Sequence, residues 1–160
     1  MAINLSKGDN VSFSRSLTNV CVGLGWDPNE GAGHEYDLDA SAFMLGHNGR
    51  LITDEFFVFY NNQLSPDGAV QSTGDDQTGR NSEEGDDETL MVDLAKVDPR
   101  VQEILFTATI YKAEERRQNF GQVSNAYIRI YNSTNEEEIA RYDLNEDFSV
   151  ETAVEFGRSE

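Results

Sequence analysis

The sequence predicts a mainly β protein, a two-sheet antiparallel β-sandwich with a few short helices. Three observations predict it: apolar residues alternate with period two in several segments, turn-forming residues separate those segments, and helical periodicity is scarce. The chain has 160 residues, of which 38% are hydrophobic and 10% aromatic. Such a chain can bury one substantial core. No repeat or linker divides it, so residues 1–160 are expected to form a single domain.

Alternation is clearest in two segments. Ile104, Phe106 and Ile110 share one face of EILFTATIY, and Ile128 and Ile130 share one face of AYIRIYN. Other segments are rich in β-branched and aromatic residues and are bounded by Gly, Asn, Asp or Pro. The predicted strands are residues 19–25, 37–45, 50–60, 89–94, 103–111, 126–132 and 138–144.

Three turns connect these strands in the prediction. The pair Asn48–Gly49 indicates a hairpin whose two central residues both need positive φ. The stretch 65–68, Ser-Pro-Asp-Gly, indicates a second turn, because Pro presets φ and Gly closes the turn. The stretch NSTNEE at 132–137 predicts a third hairpin.

Helical signal is confined to short stretches. Residues 112–121 and 149–157 each end in a glycine, where a left-handed cap would lie, so each predicts a helix of two or three turns. Residues 97–104, with Pro99 near the start, predict one further turn.

Charge excludes several classes of partner. The formal net charge is -18, and nucleic acid phosphates and anionic lipid headgroups both require a basic footprint. Direct nucleic acid binding is therefore not expected. No signal peptide or membrane-spanning segment is evident, so the protein is expected to be soluble and not secreted. Cys21 is the only cysteine, and it is expected to be a small buried strand residue.

Acidic residues are concentrated in a few predicted loops. The stretch STGDDQTGRNSEEGDDETL, residues 72–90, contains seven acids and a single cation, Arg80. A β-sandwich gathers its loops at two ends, so carboxylates from separate loops can meet. The candidates for such convergence are Asp27, Asp37, Asp39, Asp67, Asp75, Asp76, Glu83, Asp86, Asp87 and Glu88.

Carboxylates at this density favour a hard divalent cation. Asp37 and Asp39 lie two residues apart on an extended segment, so they point to the same side and repel each other unless a cation lies between them. Calcium accepts about 6 to 8 oxygen ligands in flexible geometry, whereas magnesium requires a stricter octahedron. Zinc would require His or Cys ligands. An EF-hand is excluded, because a loop starting at Asp37 has Ala42 in place of the required Gly and Asn48 in place of the required Glu.

Two alternatives remain open at this stage. Acidic runs are commonly solvated surface without any ligand. A pair such as Asp37 with Glu88 could also serve a glycosidase mechanism across a sugar cleft. The sequence has no nucleophile elbow, no phosphate-binding glycine loop ahead of a lysine and no H-E-x-x-H motif.

Ordered motifs along nearly the whole chain resemble the TerD family of tellurite-resistance and stress-response proteins. They are GLGWD at 23–27, DLDASAFML at 37–45, FVFYNN at 57–62, SPDGAV at 65–70, TGDDQTG at 73–79, GDDETLMVDL at 85–94, NFGQVSNAYIRI at 119–130 and ARYDLNEDFSVETAVEFG at 140–157.

The resemblance implies a β-sandwich that binds calcium in acidic loops at one end, in a bacterial cytoplasmic protein without catalytic activity. It implies the motif acids as metal ligands, with Asn61 and Asn62 as secondary oxygen donors. The family commonly has a glycine-rich run where this chain reads RNSEE, which adds Glu83 to the candidates. Family members usually continue beyond EFGRSE with a further strand pair, so the chain is expected to be trimmed at Glu160.

The function expected from the residues and the resemblance together is that of a calcium-binding module with two Ca²⁺ ions. In it, calcium orders a surface for other proteins of a tellurite-resistance system, in the cytoplasm and at the inner face of the membrane. The alternative is a metal-dependent hydrolase acting on a sugar or a phosphate-containing substrate. Direct chemistry on tellurite is disfavoured, because a single buried thiol is poorly suited to it.

Overall fold

A computed structural model describes residues 3–5, 17–31, 33–73, 86–144 and 153–159, with the backbone alone for the first and last of these ranges. Ten strands lie in this part of the chain. They are β1 (Ile3–Leu5), β2 (Asn19–Gly25), β3 (Leu38–Leu45), β4 (Phe57–Val58), β5 (Val70–Ser72), β6 (Glu88–Asp93), β7 (Glu103–Ile110), β8 (Tyr127–Asn132), β9 (Glu138–Asp143) and β10 (Ala153–Ser159).

The strands form two sheets. A six-stranded sheet has the order β1-β9-β8-β2-β6-β5, and a four-stranded sheet has the order β10-β7-β3-β4. Neighbouring strands are antiparallel, except that β1 runs parallel to β9 at one edge. The predicted two-sheet, mainly β fold is therefore confirmed, with one parallel edge that the sequence did not predict.

One hydrophobic core lies between the sheets. Alternate residues of β2 (Val20, Val22 and Leu24) and of β3 (Leu38 and Met44) are almost completely buried in it. The period-two pattern thus sends one side of each strand inward, as the sequence predicted.

The hairpin at Asn48–Gly49 is confirmed, but its turn differs in type from the prediction. The Gly49 amide donates to the Gly46 carbonyl at 2.9 Å, and Gly46 donates to Arg50 at 2.8 Å. Gly49 has φ of 75°, while Asn48 is not among the described residues with positive φ. The loop is therefore one residue longer than a two-residue turn and places its single left-handed residue at glycine.

The other two predicted turns are also present. The Gly68 amide donates to the Ser65 carbonyl at 2.9 Å, and Gly68 has φ of 75°. Between β8 and β9, the Asn132 amide donates to the Glu137 carbonyl at 2.9 Å. Local turn chemistry was sufficient to predict these positions.

The prediction of one continuous strand over residues 50–60 is wrong. A 3₁₀ turn at Asp54–Phe56 interrupts it, so that pairing with β3 is limited to an isolated bridge at Leu51 and to Phe57–Val58 beyond the turn. The turn buries the Phe56 side chain, which is 3% exposed. Burial of this ring in the core accompanies the break in the extended backbone.

The predicted helix over residues 149–157 is also wrong where the structure describes it. Residues 153–159 form β10, which pairs antiparallel with β7 and places Phe156 opposite Phe106. Gly157, predicted as a helix cap, lies inside this strand. Pairing with β7 satisfies the backbone groups at that edge, and such tertiary pairing overrides a weak local preference.

The predicted helix over residues 112–121 is shorter than expected. One turn, α1 (Ala113–Arg116), forms, and it ends at Arg117 with φ of 55° rather than at Gly121. A separate 3₁₀ turn follows at Phe120–Gln122. A third 3₁₀ turn, Leu94–Lys96, follows β6.

Candidate metal centre

Three buried carboxylates, from β3 and the residue before it and from β6 of the other sheet, meet where these two strands begin. Asp37, Asp39 and Glu88 are 6%, 8% and 6% exposed. Each contributes one carboxylate oxygen to a group in which all the oxygens lie within 4.8 Å of one another. This group, the carboxylate triad, brings together two aspartates that lie two residues apart in sequence and a glutamate 49 positions after the second of them.

Strand geometry explains how the carboxylate triad forms. Asp37 and Asp39 lie at the start of β3 and, two residues apart, face the same side. Glu88 begins β6 in the opposite sheet, and its Oε1 accepts a hydrogen bond from the Ala40 amide at 3.1 Å. β4 pairs only with residues 42 and 43 of β3. The Ala40 amide lies beyond the end of β4 and is therefore available to the Glu88 side chain.

The donor set fits a hard divalent cation. Carboxylate oxygens are preferred ligands of calcium and magnesium, and neither His nor Cys belongs to the carboxylate triad. Burying three like charges together is costly unless a cation or hydrogen bonds compensate for them. Calcium accepts about 6 to 8 oxygen ligands, and the carboxylate triad would supply some of them.

Asp87 lies beside the triad without belonging to it. Its Oδ2 accepts a hydrogen bond from the Trp26 amide at 2.9 Å. Among the described residues, the Oδ1 atoms of Asp37, Asp39 and Asp87 are buried and accept no hydrogen bond, although each of these residues makes other polar contacts. Several carboxylate oxygens are therefore buried close to the carboxylate triad or belong to it.

Asp86 is engaged elsewhere, in an ion pair on the six-stranded sheet. Its two oxygens accept from Nε and Nη2 of Arg129, both at 2.9 Å, and Oδ1 also accepts from the Tyr127 hydroxyl at 2.8 Å. The hydrogen bonds that Arg129 donates to the Asp86 carboxylate raise the pKa of Arg129. Asp86 does not belong to the carboxylate triad.

Gly23 leaves the space that Asp86 occupies. Gly23 pairs with Arg129 across β2 and β8, and a Cβ added at Gly23 would collide with the Asp86 carboxylate. We expect Gly23→Ala to displace Asp86 and to lower the free energy of unfolding by about 1 to 3 kcal/mol, measured by urea denaturation. Gly31→Ala is the control, because a Cβ there meets its nearest atom at 3.5 Å. Equal stability of the two variants would contradict this interpretation.

Two tyrosines near Asp86 are expected to make the protein less stable at alkaline pH. Burial raises the pKa of Tyr131 to about 12, and a hydrogen bond with Cys21 acts in the same direction. Burial and the hydrogen bond to Asp86 also raise the pKa of Tyr127. Because folding favours the neutral phenols, their contribution to stability is complete below about pH 10 and is lost as pH rises toward about 12.

Urea denaturation at a series of pH values from about 9 to about 11.5 would measure this slope. Tyr131→Phe should make the slope shallower. Tyr60→Phe, at a side chain that is 37% exposed, should leave it unchanged. A slope that is identical in all three proteins would contradict the assignment to Tyr131.

Two other predicted ligands have local structural partners. Asp67 Oδ1 accepts from the Ser65 hydroxyl at 2.6 Å, and its Oδ2 accepts from the Asp98 amide at 2.8 Å. Asp27 Oδ2 accepts from the Asn125 side chain at 2.7 Å. The structure therefore places Asp67 in a turn and Asp27 against the loop before β8, and neither belongs to the carboxylate triad.

The remaining candidates divide into two groups. Asn62 donates through Nδ2 to the carbonyls of Glu55 and Phe57, and Asn61 lies exposed beside it. Asp75, Asp76 and Glu83 lie outside the described residues.

A groove of about 280 Å³ adjoins Asp39. It lies on the face of the four-stranded sheet opposite the core, where the rings of Phe43 and Phe57 stack at 4.4 Å. The hydroxyls of Ser41 and Thr107, which also line the groove, are 2.6 Å apart. Asp39 is thus shared between the carboxylate triad and a concave surface.

Comparison with known proteins assigns this chain to a family. A family model described as TerD domain matches residues 1–159. The chain belongs to the TerD family. Tellurium resistance protein TerD of Serratia marcescens is 52% identical over 160 residues, covering 98% of this chain and 82% of that protein. General stress protein 16U of Bacillus subtilis (strain 168) is 47% identical over 158 residues, covering 96% of this chain and 81% of that protein.

The fold is that of other TerD proteins. A crystal structure described as a homologue of telluride resistance protein (TerD) from Streptomyces coelicolor A3(2) has a TM-score of 0.72 and 22% identity. That likeness covers 87% of this chain and 78% of the other. Named TerD relatives are tellurium resistance or stress response proteins. No helix within the described residues is long and apolar enough to cross a membrane.

Proposed function

We propose that this TerD protein is a calcium-binding, non-catalytic protein of a bacterial tellurium-resistance or stress response. The observation that carries the proposal is the carboxylate triad, which brings three buried acids from two sheets within 4.8 Å. Family membership supports the resistance or stress context. Calcium is favoured over magnesium because loop-rich carboxylate sites accommodate its larger and more variable coordination shell.

The proposed ligands extend from the carboxylate triad into the neighbouring acidic segments. Asp87 lies next to Glu88 and carries a buried oxygen, so it is the first candidate for a further ligand. We propose a second Ca²⁺ ion held with the help of the loop acids. Asp27, Asp67, Asp75, Asp76, Glu83 and Asp86 complete the ligand set proposed for the two ions.

Calcium would act as a structural organiser in this proposal. It compensates the charges of residues 37–39 and 86–88 and so holds two sheets and an acidic loop together at one end. A rigid surface of this kind suits docking to other proteins of the resistance system, in the cytoplasm and at the inner face of the membrane. Such a surface requires no chemical step, which agrees with a non-catalytic role.

Calorimetric titration of the chelator-treated protein tests the proposal. Calcium should bind saturably, magnesium should bind more weakly, and calcium should raise the melting temperature. A ligand selective for the folded state adds about 2.7 kcal/mol to stability at a hundredfold excess over its Kd. Absence of calcium heat together with an unchanged melting temperature would refute calcium binding.

The groove beside Asp39 favours one alternative, a metal-dependent hydrolase. A substrate in the groove would lie next to a metal held by the carboxylate triad, which could polarise a phosphoryl or glycosidic oxygen. A screen of phosphate esters and glycosides with and without calcium separates the two functions. Turnover that requires both the metal and Asp39 would support the hydrolase.

A further inference from the structure

Trp26 connects the two segments that carry the carboxylate triad. Its indole Nε1 donates a hydrogen bond to the Tyr36 carbonyl at 2.9 Å, and its backbone amide donates to Asp87 Oδ2 at 2.9 Å. Tyr36 directly precedes Asp37, and Asp87 directly precedes Glu88. The side chain is 3% exposed and belongs to the hydrophobic core, so this connection is made by a residue that is itself immobilised.

The segment leading into Asp37 is held along its length. Gln118 Nε2 donates to the His34 and Glu35 carbonyls at 3.1 and 3.3 Å, and Arg116 Nη1 donates to the Glu35 carbonyl at 3.2 Å. With the indole bond to Tyr36, three successive carbonyls therefore accept hydrogen bonds from side chains. This anchoring limits how far the segment can shift toward Glu88.

The distance between the Asp37 segment and the Glu88 segment affects which metal ion the site prefers. Calcium binds oxygen at about 2.3 to 2.6 Å, whereas magnesium requires about 2.0 to 2.1 Å and near-octahedral geometry. Ligands that cannot move inward are therefore better suited to the larger ion. A residue that fixes the distance between the Asp37 segment and the Glu88 segment acts on the ratio of calcium to magnesium affinity.

We infer that Trp26 is a positioning residue that sets the separation of the two carboxylate-bearing segments and so favours calcium over magnesium. This inference rests on the proposed calcium site. Trp26 does not contact the metal in this scheme, and its effect is exerted through Tyr36 and Asp87. The relevant atom is the indole Nε1, because its hydrogen bond reaches the other segment.

Two replacements at Trp26 test the inference. The first exchanges the indole for benzothiophene, a ring of nearly the same shape without the N–H group. The second is Trp26→Phe. Calcium affinity should fall about tenfold in both, as for other residues that orient metal ligands, and magnesium affinity should fall less. The ratio of calcium to magnesium affinity is the decisive readout, because a general loss of stability would not change it.

Phe56→Leu is the matched control. Phe56 is 3% exposed and lies in the 3₁₀ turn before β4, so the substitution should lower the melting temperature while leaving the calcium-to-magnesium ratio unchanged. A ratio that stays at the wild-type value in both Trp26 variants would overturn the inference and leave the calcium site intact. Failure of the unmodified protein to bind calcium would overturn both.

Fluorescence gives a second readout, because Trp26 is the only tryptophan in the chain. Calcium should change its emission in the unmodified protein, since the ion orders both segments to which Trp26 is bonded. Asp39→Asn should abolish this change at the same calcium concentration. Calorimetry under the same conditions would show that calcium saturates the protein. Emission that does not change on saturation would contradict the coupling.

Discussion

Asp39→Asn is expected to weaken calcium binding by roughly a hundredfold or more. Asp39 is buried, belongs to the carboxylate triad and loses one full negative charge in this variant. Removing one partner of a buried charge pair costs about 3 to 5 kcal/mol, and about 1.4 kcal/mol corresponds to a factor of ten in affinity. Calorimetric titration of the chelator-treated variant measures the change.

The same variant is expected to be more stable than the unmodified protein in the absence of metal. Like charges repel, and the substitution reduces the carboxylate triad from three charges to two. The melting temperature should therefore rise in chelator and gain less from calcium. These opposite signs distinguish a metal ligand from a residue required only for folding.

Asp54→Asn is the matched control for Asp39→Asn. Asp54 is an exposed acid at the start of a 3₁₀ turn and does not belong to the carboxylate triad. Asp54→Asn changes the net charge by the same amount as Asp39→Asn, so a general electrostatic effect would appear in both variants. Equal calcium affinities for the two variants would refute the assignment of Asp39 as a ligand.

Arg129→Met is expected to lower the free energy of unfolding by about 3 kcal/mol, because it leaves the Asp86 carboxylate without its cation. The Asp86 side chain is 7% exposed and that of Arg129 is 23% exposed, which places the effect at the lower end of values for buried pairs. For a domain of this size the melting temperature should fall by roughly 10 °C. Urea denaturation and a thermal melt measure both quantities.

Arg100→Met provides the internal comparison. Arg100 pairs with Asp98 at 2.9 Å, but its side chain is 64% exposed, and solvent-exposed ion pairs contribute little to stability. The double variant Arg129→Met with Asp86→Asn should recover much of the loss, since it no longer buries an unpaired charge. A cost at Arg129 as small as that at Arg100 would show that the pair is not important for stability.

The Arg129 variants also bear on the role of Asp86. Asp86 was predicted as a metal ligand, and the structure places both its oxygens on Arg129. If Asp86 serves the sheet alone, the double variant should retain calcium binding. A strong loss of calcium affinity in the double variant would support Asp86 as a member of the proposed ligand set.

Strand periodicity and turn chemistry are local properties, and they predicted most of the architecture. The alternation in β7 and β8 and the glycines at 49 and 68 report short-range backbone and burial preferences. The strand β10 was missed, because the exposed edge of β7 that it covers belongs to a distant part of the chain. A pattern within nine residues carries no information about that edge.

In the candidate site, too, some features were predicted from the sequence and others were decided only by packing. Composition identified a surplus of acids and the chemistry of the cation that they suit, and the three members of the carboxylate triad were among ten candidates. Which acids meet was decided by the packing of β3 against β6, which brings Glu88 to Ala40. Asp86, two residues before Glu88 and outside β6, instead accepts hydrogen bonds from Arg129.

Trp26 and Arg129 illustrate what a linear pattern could not reveal. Trp26 follows a buried strand and would be assigned to the core on composition alone. Its two hydrogen bonds depend on loops 10 and 61 residues away. The sequence thus determined the class of fold, its turns and the supply of carboxylates, since these follow from local preferences and composition. The partners of each carboxylate were decided by tertiary packing, because a contact across two sheets depends on where both segments lie.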